Sequence, residues 1–320
     1  MPRVGRAVFS GLPLMTALAS ASSISRRGRF LDLPALAALE RMRFVTRNQI
    51  EGAFSGRHRS RRQGGSTEFV DYRQYTPGED LRRLDWKVLG RTGKPFVRLY
   101  QDETNLLCTL AIDASGSMQF GGHRGPSKLE YAQWLATGMS HVIARQQDQV
   151  GLAVLSGRLR DLIQPGGTSS HVAGIQDRIE RLTTEPATDL AVAMRELFAR
   201  LSQRGVLMVL SDFLVDDLDR TFASLRLFRH RRWEVILLHL IHPDEEQLPE
   251  GLAYRFEGLE NEGGTDCSPA QIRDAYRKRF EDHATAVRSL ALAGGCDYRR
   301  VSTSIPYLQT LGTFLVERSG

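Results

Sequence analysis

From Asn105 onward the chain alternates short apolar runs with amphipathic stretches, and this pattern, that of βα units around a largely parallel sheet, restricts the fold more than any other feature. Six strands are expected, at 106–113, 150–155, 159–164, 206–211, 233–240 and 297–302, with helices near 127–145, 169–182, 189–203, 216–229, 269–293 and 305–317. Only Ser156-Gly157-Arg158 separates the second strand from the third. Three residues cannot make a parallel crossover, so these two strands form a hairpin and one antiparallel strand lies at the sheet edge. The expected fold is α/β, a doubly wound, mostly parallel sheet of about six strands, preceded by an N-terminal helix and an Arg/Asp-rich subdomain.

The first apolar strand ends in Asp113-Ala114-Ser115-Gly116-Ser117-Met118. This D-x-S-x-S motif falls where a doubly wound sheet exposes the carboxyl ends of its strands to ligand. A hard divalent cation such as Mg²⁺ or Mn²⁺ takes oxygen ligands and keeps several waters, so two hydroxyls and a few carboxylates on adjacent loops suffice. Ser115 and Ser117 would ligate directly, Asp113 directly or through water. Two further oxygen donors stand at strand ends or helix starts: Thr188, followed by Asp189, and Asp212 after Val206-Leu207-Met208-Val209-Leu210-Ser211. The expected metal ligands are thus Asp113, Ser115, Ser117, Thr188 and Asp212, with Asp113 at the solvent-facing end of its strand. Asp189 reads as a helix cap.

Upstream, Leu36, Leu39, Met42 and Val45 recur at helical spacing behind Asp32 and Pro34, which predicts an amphipathic helix. A Gly/Arg/Ser-rich loop over residues 55–65 follows, then a polar unit running from Glu68 through Asp85-Trp86 to Arg98. Charge divides the chain in the same place: residues 1–98 hold 19 Lys and Arg against 8 Asp and Glu, and the remainder 24 against 29. The boundaries drawn are 1–30 for a leader outside the fold, 31–104 for the helix and basic unit, and 105–318 for the α/β domain. The leader loosely imitates a secretory signal, but Pro13 interrupts it and Arg26, Arg27 and Arg29 follow at once. Cys108, Cys267 and Cys296 are widely spaced and show neither a zinc pattern nor a disulfide framework, which fits a reducing, cytoplasmic setting. No run of about 18 apolar residues predicts a membrane-spanning helix.

The order Asp113/Ser115/Ser117, Thr188, Asp212 resembles the metal-ion-dependent adhesion site of von Willebrand factor A-like domains. The likeness narrows upstream. The segments 57–62, 68–86 (Glu68-Phe69-Val70-Asp71-Tyr72-Arg73-Gln74-Tyr75-Thr76-Pro77-Gly78-Glu79-Asp80-Leu81-Arg82-Arg83-Leu84-Asp85-Trp86) and Arg91-Thr92-Gly93 resemble the signature of the bacterial family known as domain of unknown function 58. That likeness covers roughly residues 31–318, with Glu79 standing where many relatives carry an aspartate. It implies an adaptor or co-chaperone-like partner of a MoxR-type AAA+ ATPase, a non-catalytic protein-binding role. Longer relatives carry membrane helices that this chain lacks.

Two other function classes are weighed on the residues. Arg57 to Arg62, with Phe69, Tyr72, Tyr75 and Trp86 nearby, has the make-up of a nucleic-acid patch. Glu68, Asp71, Glu79, Asp80 and Asp85 interleave with the arginines, however, and favour Arg–carboxylate pairing within the fold, so no nucleic acid is expected. A hydrolase using Ser115 or Ser117 would need a histidine, and His239 and His242 sit at the end of the fifth strand; no G-x-S-x-G elbow is present, and His239 reads as a core-strand residue, His242-Pro243-Asp244 as a turn.

Overall fold

Every residue of Val206–Ser211 and Glu234–Ile241 is buried, and all but the first of Leu107–Asp113. Strands with no exposed face need helices on both sides. That is their setting in the computed structural model, which describes residues 29–30, 32–47, 67–76, 84–102, 106–186, 189–248, 254–257, 259 and 264–319. Two compact units share the chain, one within residues 48–105 and the other made of the rest. The leader through residue 28, and the arginine cluster at 57–62, lie outside the described residues.

The N-terminal helix is shorter than the spacing predicts. Helix α1 (Leu33–Leu36) gives way to a 3-10 turn at Ala37–Leu39, and the chain from Met42 to Thr46 is not helical. The cause is tertiary. The Arg145 guanidinium binds the carbonyls of Glu40, Leu39 (3.3 Å) and Met42 (2.9 Å), and the Gln146 side chain pairs with the backbone of Phe44. These side chains hold the chain on a non-helical path and satisfy the carbonyls that a helix ending here leaves open. Of the four periodic positions, Leu36 and Leu39 are buried while Val45 is 42% exposed; once the helix ends, Phe44 is the residue that turns into the core, so the periodicity marked its first half only.

In the smaller unit, β1 (Thr67–Gln74) and β2 (Phe96–Asp102) pair antiparallel. Between them α2 (Trp86–Thr92) starts at Asp85, whose carboxylate accepts from Lys87 N and Val88 N, and stops at Gly93, whose φ of 68° suits a residue without Cβ.

The larger unit carries β3 (Leu107–Asp113), α3 (Lys128–Arg145), β4 (Gln149–Leu155), β5 (Leu159–Gly166), α4 (Ser169–Glu180), α5 (Leu190–Arg200), β6 (Val206–Ser211) and α6 (Leu218–His230). It continues with β7 (Glu234–Ile241), α7 (Pro243–Glu246), the short pair β8 (Tyr254–Glu257) and β9 (Gly264–Cys267), α8 (Pro269–Ala293), β10 (Asp297–Ser302) and α9 (Tyr307–Ser319). Six of these strands form one sheet in the order β10-β7-β6-β3-β4-β5. All neighbours are parallel except β4 and β5, so the hairpin puts its antiparallel strand at the edge as expected. Ala111, Leu207, Val209, Val235 and Leu237 face a core closed by α5, α6 and α8. Their alternates along each strand point to the other side, where α3 packs with α4 and α9. Gly205 lets β6 enter beside β3: a Cβ there would lie 2.3 Å from Leu107 O.

After β3 the chain moves to β4 on one side, and after β6 to β7 on the other. The carboxyl ends of β3 and β6 therefore flank the topological switch point, where open α/β sheets take their ligands. Among the described residues, no helix is long and apolar enough to cross a membrane.

Candidate metal centre

Asp113 is the last residue of β3, and Asp212 follows the last residue of β6. Their strands are neighbours, so the two carboxylates come to the same place from segments a hundred residues apart. Asp113 is held by both oxygens: Oδ1 accepts from Ser115 N at 2.9 Å, and Oδ2 accepts from Ser211 Oγ at 2.6 Å. The 3-10 turn Gly116–Gln119 then folds Ser117 back toward Ser115, leaving their hydroxyl oxygens 3.1 Å apart. Asp212 Oδ1 accepts from Leu214 N at 3.0 Å. Phe213, between them, has φ of +51°, a left-handed conformation costly for an aromatic residue. Its N–H donates to Ser211 Oγ at 2.9 Å, so one serine ties the turn after β6 to the carboxylate that ends β3.

Thr188 lies outside the described residues. Its neighbours meet the same strand ends: Glu185 N donates to Ala114 O at 2.8 Å and Asp189 N to Ser156 O at 3.4 Å. Asp189 caps α5, accepting from Val192 N at 3.0 Å, as its position suggested.

The site is more enclosed than the strand-end position implies. Asp113 is 1% exposed, Ser115 0%, Ser117 4% and Asp212 3%, so Asp113 is not at a solvent-facing end. The 3-10 turn, with Met118 fully buried, and the loop that reaches Ala114 through Glu185 cover the strand ends.

Two charged residues at the site escaped the sequence reading. Lys128, at the first position of α3 and fully buried, places Nζ 2.6 Å from Asp212 Oδ2 and in contact with Glu245 Oε1. Glu245 is fixed in turn by a capping box with His242 at the start of α7, its Oε2 accepting from His242 N at 3.0 Å. A signal existed. A lysine in a helix's first turn opposes the macrodipole and needs a carboxylate nearby.

One buried ammonium thus pairs with Asp212 and Glu245 while the third carboxylate, Asp113, has only hydrogen bonds, and the titration of the group reflects the imbalance. Burial, and then repulsion from Asp212, pushes Asp113 up to about 6, against hydrogen bonds from Ser211 and Ser115 that pull it down. Burial alone would raise Asp212, but the Lys128 ammonium and its hydrogen bond hold that carboxyl below the usual range, helped by Leu214 N and the Ser117 hydroxyl. Burial raises Glu245, with Lys128 only partly offsetting it. Lys128 itself is opposed by burial and kept charged by its two carboxylates, of which Asp212 is the principal counter-ion. Among the described residues, no group of three or more His, Cys, Asp and Glu side chains is arranged as a metal cluster.

The histidines considered for a triad are engaged elsewhere. His239 Nδ1 meets Tyr298 OH at 2.8 Å, and His242 Nδ1 accepts from Asp244 N at 3.1 Å while Nε2 faces Gly125 O at 3.4 Å.

Residues 71–288 match the family described as "Protein of unknown function DUF58". The chain is 26% identical over 299 residues to the uncharacterized proteins Rv1480 of Mycobacterium tuberculosis and Mb1516 of Mycobacterium bovis, covering 91% of this chain and 92% of each relative. Similar solved structures include the conserved hypothetical protein BatB from Bacteroides thetaiotaomicron, with a TM-score of 0.45, 17% identity, and coverage of 66% of this chain and 98% of that one. The pilus adhesin SpaC from Lactobacillus rhamnosus GG gives a TM-score of 0.41 at 10% identity, over 68% of this chain and 30% of that one.

Proposed function

The chain belongs to the DUF58 family, and from that premise we propose that it is a non-catalytic, von Willebrand factor A-like protein-binding module whose grip on its partner depends on a divalent cation. The cation is Mg²⁺ or Mn²⁺, held by Asp113, Ser115, Ser117, Thr188 and Asp212.

The observation that carries this reading is the pair of hydroxyl oxygens, Ser115 Oγ and Ser117 Oγ, 3.1 Å apart between two carboxylates at the switch point. Octahedral Mg²⁺ with ligands at roughly 2.1 Å separates adjacent oxygens by about 3 Å. The two hydroxyls hydrogen-bond to each other, and Ser117 and Ser115 also interact with the carboxylates of Asp212 and Asp113; each hydroxyl has one proton and two lone pairs, so each can turn a lone pair to a cation while its proton goes to a carboxylate. With all three carboxylates ionised against one ammonium, the pocket lacks two positive charges, which a divalent ion supplies.

Bound there, the ion offers a coordination position to a carboxylate of the partner. Because the four described donors are buried, this recognition entails movement of the covering loop. The partner implied by the family resemblance is a MoxR-type AAA+ ATPase, met in the cytoplasm. Pull-down of that ATPase from the native host by the full chain, in Mg²⁺ and again in EDTA, tests the reading: capture in Mg²⁺ and loss in EDTA is expected, and equal capture in both would overturn it.

A further inference from the structure

Lys128 is unusual on three counts that no role in the core explains. It is fully buried, it stands in the first turn of α3 where the helix dipole repels a cation, and its ammonium bridges Asp212, which follows β6, to Glu245, on the turn after β7. An apolar residue of similar length would fill the volume without the desolvation of a charge. Its environment is consistent with a permanent ammonium: two carboxylate contacts, and the Phe120 ring with its centroid 5.8 Å from Nζ.

The ammonium and a divalent ion would answer the same negative charge. We propose that Lys128 is the site's built-in cation: it neutralises Asp212 and Glu245 when no metal is bound, which keeps the metal-free protein folded, and by its positive charge it holds the affinity for the divalent ion low enough for the contact to be reversible. This rests on the metal reading given above, and extends it from where an ion binds to what limits its binding. Glu245 acts through Lys128 as a positioning residue. Fixed by the capping box, it keeps the ammonium at Asp212 rather than over the hydroxyl pair.

Two roles for Lys128 predict opposite signs. A lysine that merely positions Asp212 would, on removal, weaken metal binding. A competing cation would, on removal, strengthen it, since a unit charge a few ångströms from a divalent ion in a buried site is worth well over a factor of ten.

The test is calorimetric titration of the full chain with MnCl₂, paired with thermal melting in EDTA and in Mn²⁺, for wild type, Lys128→Met and Glu245→Gln. Lys128→Met is expected to melt lower than wild type in EDTA, to bind Mn²⁺ at least about tenfold more tightly, and to show a larger upward shift in Tm with Mn²⁺. Glu245→Gln, which removes one of the two counter-charges, is expected to bind Mn²⁺ more weakly than wild type. Equal or weaker Mn²⁺ binding by Lys128→Met overturns the proposal, as does unchanged or tighter binding by Glu245→Gln. If Lys128→Met does not fold in EDTA, recovery of the melting transition in Mn²⁺ supports it and failure to recover overturns it. Absence of any Mn²⁺ heat in wild type and both variants would instead remove the metal reading itself.

Discussion

The Ser211 hydroxyl donates to Asp113 Oδ2 at 2.6 Å across the boundary between β6 and β3, and at the same oxygen accepts from Phe213 N at 2.9 Å. One small side chain therefore orients the carboxylate of one strand end and pins the left-handed turn of the other. Replacing Ser211 by alanine leaves a buried carboxylate oxygen and a buried N–H without this partner, at a cost of about 1–3 kcal/mol. Urea denaturation in EDTA should show that loss as a lower midpoint with unchanged slope. Metal affinity should fall as well, because the freed Asp113 no longer points at the hydroxyl pair.

Asp113→Asn keeps an acceptor for Ser115 N while removing the charge that Asp212 repels. In EDTA the variant should melt at or slightly above the wild-type temperature, and the upward shift with Mn²⁺ should vanish. Co-purification with the ATPase should be lost in the same variant. A variant that melts normally, shows no Mn²⁺ shift and still captures the ATPase as wild type does would place the contact elsewhere. Asparagine is the better substitution at Asp212 also, since Asp212→Ala would leave Lys128 buried with Glu245 alone and confuse a metal effect with a folding one.

Acid sensitivity should come from buried histidines. Burial, with a further push from His283, lowers His239 from 6.5 to about 3, so the ring is neutral in the fold. Between those two values the unfolded chain binds a proton that the folded one does not. Stability from this residue is therefore complete above the unfolded pKa and is lost as pH falls below it, at roughly 1.4 kcal/mol per pH unit. From pH 7 to pH 5 His239 should account for about 2 kcal/mol, and His141, His242 and His283, each lowered first by burial, should add in the same direction, while Asp113, raised to about 6, protonates in the fold over the same range and offsets part of the loss. Urea midpoints at pH 7, 6 and 5 should fall steadily, and His239→Gln should fall by about one proton's worth less.

Much of this architecture was legible in the chain because β3, β6 and β7 are buried on both faces and are apolar along most of their length, while Ser156-Gly157-Arg158 leaves no room for a crossover. The strand-end carboxylates and serines were legible for the same reason, since a motif at a strand's carboxyl end inherits the geometry of the sheet. Lys128 carried only the signal of its place in the first turn of α3 and Glu245 none, since the meaning of each depends on a partner more than eighty positions away. The β8–β9 pair, four residues a strand, is too short for the alternation in Tyr254-Arg255-Phe256-Glu257 to stand out. Helix α1 was overextended because nothing in its own sequence announces that Arg145 claims its carbonyls.

Arg318 provides a control at the other end of the sheet. Its side chain, 1% exposed, contacts Glu234 Oε1, lies 2.5 Å from Asp297 Oδ2 and donates to Val45 O at 2.9 Å. Its guanidinium stands 5.2 Å from the Phe44 ring and 5.4 Å from the Phe314 ring. Glu234 and Asp297 are the first residues of β7 and β10, so this cluster sits at the amino ends of parallel strands whose carboxyl ends point toward the metal centre. Arg318→Met should cost about 3–5 kcal/mol, because it strands Glu234, a buried carboxylate whose Oε2 already has no hydrogen-bond partner. The segment from Phe44 to Arg47 should become open to limited proteolysis, since it loses both the guanidinium and its hold on Glu234. Adding Glu234→Leu should restore part of the loss, as removing both members of a buried pair is far less costly than removing one. Mn²⁺ affinity should be unchanged in both variants, and a shift of more than about threefold would mean that the two ends of the sheet are coupled.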